Sequence, residues 1–166
     1  MVTVRRIQAG EGELLRAVRL AALADAPSAF GSTHEAEAAR SSDEWDERAA
    51  TLATADVRAT WFAVDETGDV LGLVGALVGE AHRSDVELVS MWTAPMARRL
   101  GVGRQLVDTT IAWARERGAA SVSLWVTRGN DPARRLYESM GFVETGDFQP
   151  LPSDPCKDEV RMTRSV

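Results

Sequence analysis

Two hydrophobic periods take turns along the chain. "TVRRIQ" (3–8) is short and alternating, and predicts a first strand. In "EGELLRAVRLAALADAP" (11–27), Leu14, Leu15, Val18, Ala22 and Leu23 return every three or four residues, which predicts a helix with one apolar stripe, ended by Pro27. "SSDEWDERAATLA" (41–53) predicts a second helix, with Ser42 as its cap and acids in its first turn to suit the helix dipole. The pattern then turns strand-like. Apolar runs at 61–64 and 70–78 flank the turn residues "DETGD", a hairpin. Glycines at 72, 75 and 79 weaken the second run and mark bulges or close backbone approach. "SDVELVSMWTAP" (84–95) is another strand, ended by Pro95. Helical spacing returns over 103–117 with Leu106, Val107, Thr110, Ile111 and Ala114, and Gly118 closes it. "AASVSLWVT" (119–127) alternates as a strand, and "DPARRLYESMGF" (131–142) is a short helix with Pro132 in its first turn and Gly141 at its end. The tail holds two more strands around a loop with Pro150, Pro152 and Pro155. The order β α α β β β α β α β β implies a mixed sheet with helices packed on it, an α/β or α+β architecture.

No repeat, low-complexity segment or linker divides the 166 residues, so one domain over 1–166 is expected. The formal charge of −6 argues against unspecific binding to nucleic acid or an anionic membrane surface. A single cysteine, Cys156, permits no internal disulfide, and its loop setting reads as an incidental thiol. With only two histidines, His34 and His82, no metal cluster is expected. No stretch reaches the length of a membrane span, and "MVTVRRIQAGEGELL" shows no leader pattern, so a cytoplasmic protein is expected.

The most informative stretch is "MARRLGVGRQLV" (96–107). Gly101 and Gly103 stand at the mouth of a helix, with Arg98, Arg99 and Arg104 around them. Glycine lets an anion approach the free N–H groups of a helix N-terminus, and arginine adds charge-assisted bonds. A nucleoside-triphosphate loop would need Gly-Lys-Ser/Thr, but Arg104 and Gln105 follow Gly103. A dinucleotide fingerprint would need glycine at 106, which is leucine. An ordinary strand-to-helix turn stays open on these residues alone.

"RRLGVG" (98–103) matches Arg/Gln-x-x-Gly-x-Gly/Ala, and "VSLWVTRGNDPARRLYESMGF" (122–142) follows it at the distance of one helix and one strand. Together with "ELVSMWTAP" (87–95), these segments resemble the GNAT superfamily of N-acetyltransferases. The strong match covers about residues 85–143. The resemblance implies a GNAT fold: about seven strands in a mixed sheet, about four flanking helices, and a splay between strands 4 and 5. It also implies binding of acetyl-CoA, whose pyrophosphate would meet the loop Arg98, Arg99, Leu100, Gly101, Val102, Gly103 and Arg104. One departure is notable: many members have glycine where this chain has Arg99.

By the same resemblance, the reaction is direct acetyl transfer from acetyl-CoA to a primary amine of a small molecule or protein. Met91, Trp92 and Thr93 would lie beside the pantetheine and acetyl carbonyl, with Asn130 and Ala133 on the pantetheine. Asn130 reads equally as a helix N-cap. Tyr137 matches the usual general acid; a phenol with pKa about 10 can protonate a leaving thiolate. Glu87 stands where histone-acetylating members carry a base, although a rim carboxylate, Glu80 or a water relay remain open. Phe30 and Trp45 are assigned either to the acceptor pocket or to packing. The run "APSAFGSTHEAEAARSSDEW" (26–45) carries Glu35, Glu37, Asp43 and Glu44, which reads as an amine-attracting wall or a solvated acidic face. A non-catalytic acyl-CoA sensor and a transferase for another acyl-CoA are the alternatives, and a homodimer is compatible with the sequence.

Overall fold

The structure, a computed structural model, describes residues Met1–Val166. Seven strands form one sheet: β1 (Thr3–Arg6), β2 (Arg58–Val64), β3 (Val70–Val78), β4 (Asp85–Thr93), β5 (Ser121–Thr127), β6 (Val143–Leu151) and β7 (Asp154–Ser165). Five helices accompany them: α1 (Gly12–Asp25), α2 (His34–Ala38), α3 (Ser42–Thr54), α4 (Val102–Glu116) and α5 (Asp131–Ser139). The sheet order is β1-β2-β3-β4-β5-β7-β6, and only β4 and β5 run parallel. The predicted elements are all present. The cap of α3 is Ser41, one residue before the expected Ser42, in a reciprocal capping box with Glu44.

Two features lie outside the expectation. Helix α2 is a single short turn, too brief to leave a periodic signal; Thr33 caps it by accepting from the Ala36 N–H at 3.2 Å. Strands β6 and β7 also extend further than the proline-rich loop implied, so that Pro150 and Pro155 sit inside them. Strand β6 forms the sheet edge, and its register slips between Pro150 and Leu151. An edge strand tolerates proline because one side of its backbone needs no partner.

Each face of the sheet has its own core. Leu106, Val107, Ile111 and Trp113 of α4 pack on Trp61, Val74, Leu88, Val122 and Leu124. On the opposite face, Leu15, Val18, Ala22 and Leu23 of α1 meet Trp45 and Ala49 of α3 over Phe62 and Leu73. The alternation within the strands dictates this division, since successive side chains point to opposite faces. No helix is long and apolar enough to cross a membrane.

Candidate active site

The parallel pair sets up the site. Strands β4 and β5 are in register only from Asp85–Ser121 to Leu88–Leu124. Beyond that they part, and the β4 backbone groups directed toward β5 from Val89 onward have no strand partner there. A cleft of about 860 Å³ opens in the gap. Its walls include Met91, Trp92 and Thr93 of β4, Trp125 of β5, and Asn130, Ala133, Leu136 and Tyr137 at α5. The N-terminus of α4 opens into it through Gly101, Gly103 and Arg104.

That helix end differs from its neighbours. It has no side-chain cap and no acid in its first turn, whereas α3 has both. The first intrahelical bond is donated by Gln105 to the Gly101 carbonyl. The first-turn N–H groups before it lack helical acceptors, as at any helix N-terminus. Gly103 carries no Cβ for a spatial reason: one placed there would stand 3.1 Å from Leu136 Cδ2 and 3.3 Å from Met91 Cε, in the cleft. Gly101 has φ +83°, and Arg99 adopts φ +64° without being glycine. The departure from the family pattern at Arg99 therefore falls on a position whose backbone favours glycine.

Strand β4 carries a second irregularity. Its register with β3 shifts between Leu73 and Gly75, and Ser90 takes φ +55° at that point. Gly75 lies opposite Val89, where an added Cβ would approach Val89 Cγ2 to 3.0 Å. Two of the three glycines flagged in the strand pattern, Gly72 and Gly75, thus face the bulged stretch of β4.

The bulge is also where two cavities meet. A groove of about 970 Å³ runs along the α3 face of β2, β3 and β4. Val89 and Ser90 line both this groove and the cleft. The groove walls carry mixed charge, with Glu44, Glu47 and Glu80 set among Arg40, Arg48 and Arg83.

The individual side chains are distributed as follows. Tyr137 is 4% exposed, lines the cleft, and packs edge-on against Phe142 at 5.8 Å between ring centres. Burial pushes its phenol well above the ordinary tyrosine value, so the proton stays on at neutral pH. Asn130 caps α5, accepting from the Ala133 N–H at 3.5 Å, and lines the cleft as well. Glu87 lies two residues before Val89 on the same face of β4, half-buried and opposite Leu77 of β3, and it lines neither cavity. Burial raises its carboxyl pKa, Asp85 and Glu159 add to the rise, and Arg161 opposes it. Val102 is buried in the core and Leu100 is exposed, so neither side chain lines the cleft.

Arg98 lines the cleft as well, but its guanidinium is engaged within the protein. Arg98 is tied to Asp25 at the end of α1, and Asp25 also accepts from Trp92 Nε1 at 2.9 Å. Arg98 Nε donates to the Thr93 carbonyl at 3.1 Å, so this guanidinium holds the loop to α1 and β4. Phe30 and Trp45 are 3% and 0% exposed, in the core between α1 and the sheet. They line neither cavity. The acidic run does not form an acidic wall either. Glu37 is buried and shared by Arg48 at 2.9 Å, Arg40 at 3.0 Å and Arg19 at 3.7 Å, and of the four acids only Glu44 reaches the groove. Arg19, Arg40 and Arg48 come from α1, the α2–α3 turn and α3, so nothing in the sequence signalled that they converge on one carboxylate.

Comparison with known proteins agrees with this geometry. The chain is 33% identical over 144 residues to a mycothiol acetyltransferase of Thermomonospora curvata, covering 86% of this chain and 44% of that protein. It is 38% identical over 87 residues to a streptothricin acetyltransferase of Streptomyces lavendulae, covering 52% of this chain and 46% of that one. The chain thus spans less than half the length of these two relatives. Among solved structures, spermidine N-acetyltransferase from Vibrio cholerae in complex with CoA and spermine superimposes with a TM-score of 0.78 at 21% identity, over 99% of this chain and 95% of that one, a likeness of fold. The family model described as Acetyltransferase (GNAT) family matches residues 21–142. With nearly three quarters of its length matched and the parted β4–β5 pair in place, the chain belongs to the GNAT acetyltransferase family.

Proposed function

We propose that the protein is an N-acetyltransferase that uses acetyl-CoA and acetylates a primary amine on a small molecule. The observation that carries this reading is the meeting of two cavities at Val89 and Ser90, one open to an uncapped helix N-terminus, the other to the opposite face of the sheet. A donor and an acceptor can approach one point from opposite sides, as direct transfer requires.

The cleft suits coenzyme A. The free N–H groups at the start of α4 donate to a pyrophosphate, helped by the helix dipole and by Arg99 and Arg104 at the rim. The apolar walls at Met91, Ala133 and Leu136 suit the pantetheine arm, and the unpaired edge of β4 offers it backbone hydrogen bonds. Acetyl-CoA supplies an activated acetyl group, whose C–S bond breaks as the new N–C bond forms. The β4 N–H groups at the bulge stabilise negative charge on the acetyl oxygen. Tyr137 gives its proton to the departing sulfur. Glu87, made more basic by burial, takes the proton that the attacking ammonium must lose, through a water relay from the point where the cavities meet two residues further on at Val89. The mixed charge of the groove suits a polar amine, and the relatives named for streptothricin and spermidine support a small acceptor.

Calorimetric titration with acetyl-CoA, succinyl-CoA and free CoA tests the donor. Acetyl-CoA is expected to bind, and Gly103→Ala, whose methyl would enter the cleft floor, to weaken it roughly tenfold, about 1.4 kcal/mol. Absence of binding to the wild-type protein would remove the coenzyme assignment. A thiol-release assay over a panel of amines then separates an enzyme from a binding domain.

A further inference from the structure

Helix α1 carries one charged residue on its buried stripe. Arg19 is 7% exposed, alongside Leu15, Val18, Ala22 and Leu23. Its guanidinium lies 5.0 Å from the centre of the Phe30 ring, and Nη2 is 3.7 Å from Glu37. Nη1 donates to Ser90 Oγ at 2.7 Å, across 71 residues of sequence. Ser90 is the residue with φ +55° in the β4 bulge, where the cleft and the groove meet. Serine rarely adopts that conformation unaided. Burying a guanidinium is costly unless its bonds require it, and here Nε has no partner at all. The one short bond that Arg19 makes is the one to the bulge.

We infer that Arg19 is a positioning residue for acetyl transfer: its bond to Ser90 holds the left-handed bulge that turns the β4 backbone N–H groups toward the acetyl oxygen. This rests on the coenzyme assignment above. Arg19 lines neither cavity and acts only through residue 90. The packing of α1 needs an apolar residue at 19, and Glu37 keeps Arg40 and Arg48 if the guanidinium is removed. A purely structural arginine would therefore change stability and leave the bound acetyl group unaffected.

Infrared difference spectra of protein-bound acetyl-CoA, labelled with carbon-13 at the carbonyl, read the polarisation directly. In the wild-type protein the carbonyl stretch is expected to fall below that of free acetyl-CoA. Arg19→Met and Ser90→Ala are expected to return it toward the free position, with coenzyme affinity changed less than about threefold by calorimetry. Glycine adopts positive φ without assistance, so Ser90→Gly is expected to keep the lowered stretch. The double variant Arg19→Met/Ser90→Gly is expected to regain it, which also guards against misreading a variant that is merely unstable. A wild-type stretch in Arg19→Met overturns the inference. So does loss of the lowered stretch in Ser90→Gly, which would place the effect in the hydroxyl. Failure of the wild-type protein to bind acetyl-CoA would overturn the coenzyme assignment and this inference together.

Discussion

The pKa values of Tyr137 and Glu87 are raised for the same physical reason, burial of a group that is anionic when deprotonated, yet the consequences are opposite. Tyr137 stays protonated, and so able to donate, at neutral pH. Tyr137→Phe keeps the edge-on contact with Phe142 and the apolar volume, so it is expected to lower kcat by about a hundredfold or more and to leave acetyl-CoA affinity nearly unchanged. Steady-state kinetics beside calorimetry check both halves. Glu87 must instead be deprotonated to serve as base. In that role its raised pKa is expected to move the alkaline-rising limb of kcat/KM to higher pH, and Glu87→Gln to flatten that limb. The same shift bears on stability. As pH rises, the unfolded chain loses this proton first, so between the unfolded and folded pKa values the native state binds more protons and stability declines. Below the unfolded pKa the contribution is fully present. Glu87→Gln is therefore expected to raise Tm at neutral pH and to leave it unchanged in acid below the carboxylate range, by thermal melts at both. The type and place of these two residues were legible in the sequence. What burial does to their protons was not, because it depends on which strands flank β4.

The elements were legible where periodicity is long. The apolar stripe of α1 and the spacing of Leu106, Val107 and Ile111 in α4 translate directly into the two cores. Helix α2 was not, since five residues span little more than one turn. Nor was the destination of Arg98. Its partner Asp25 is 73 residues away, and only the packing of α1 beside the end of β4 brings them together. Phe30 and Trp45 show the same limit from the other side, because aromatic residues near a predicted acceptor region look alike whether they line it or support it. The β4–α4 loop combines both lessons. The motif there was readable, but not that Arg99 is held at φ +64°. A left-handed conformation costs an ordinary residue about 1–2 kcal/mol, and glycine at the same place adds about 0.5–1 kcal/mol of unfolded-chain entropy. Arg99→Gly is thus expected to stabilise the protein by up to about 1 kcal/mol in urea denaturation. It is also expected to weaken coenzyme A binding, since the exposed guanidinium at the cleft rim is lost. Unchanged affinity would mean that the loop amides alone hold the phosphates.

At the scale of the whole molecule, an overall charge of −6 would oppose the proposed polyanionic coenzyme, while the N-terminus of α4, Arg99 and Arg104 would attract it locally. Contact distance decides between them. Charges more than a Debye length away, about 8 Å at physiological salt, are largely screened, whereas groups in the cleft act through direct hydrogen bonds. Bound in the cleft as proposed, the coenzyme would also bridge β4 and β5, whose pairing ends at Leu88 and Leu124. A ligand that binds only the folded chain adds about 2.7 kcal/mol at a hundred times its Kd. For a chain of this size, each kcal/mol moves Tm by about 2–4 °C. Saturating acetyl-CoA is therefore expected to raise Tm by roughly 5–10 °C in a thermal-shift assay. Free CoA should give most of that shift, because the pyrophosphate and pantetheine carry the contacts. Acetate with a thiol lacking both should give none. A shift with acetyl-CoA that Gly103→Ala reduces would tie the stabilisation to the cleft, whereas an equal shift in that variant would place the coenzyme elsewhere on the molecule.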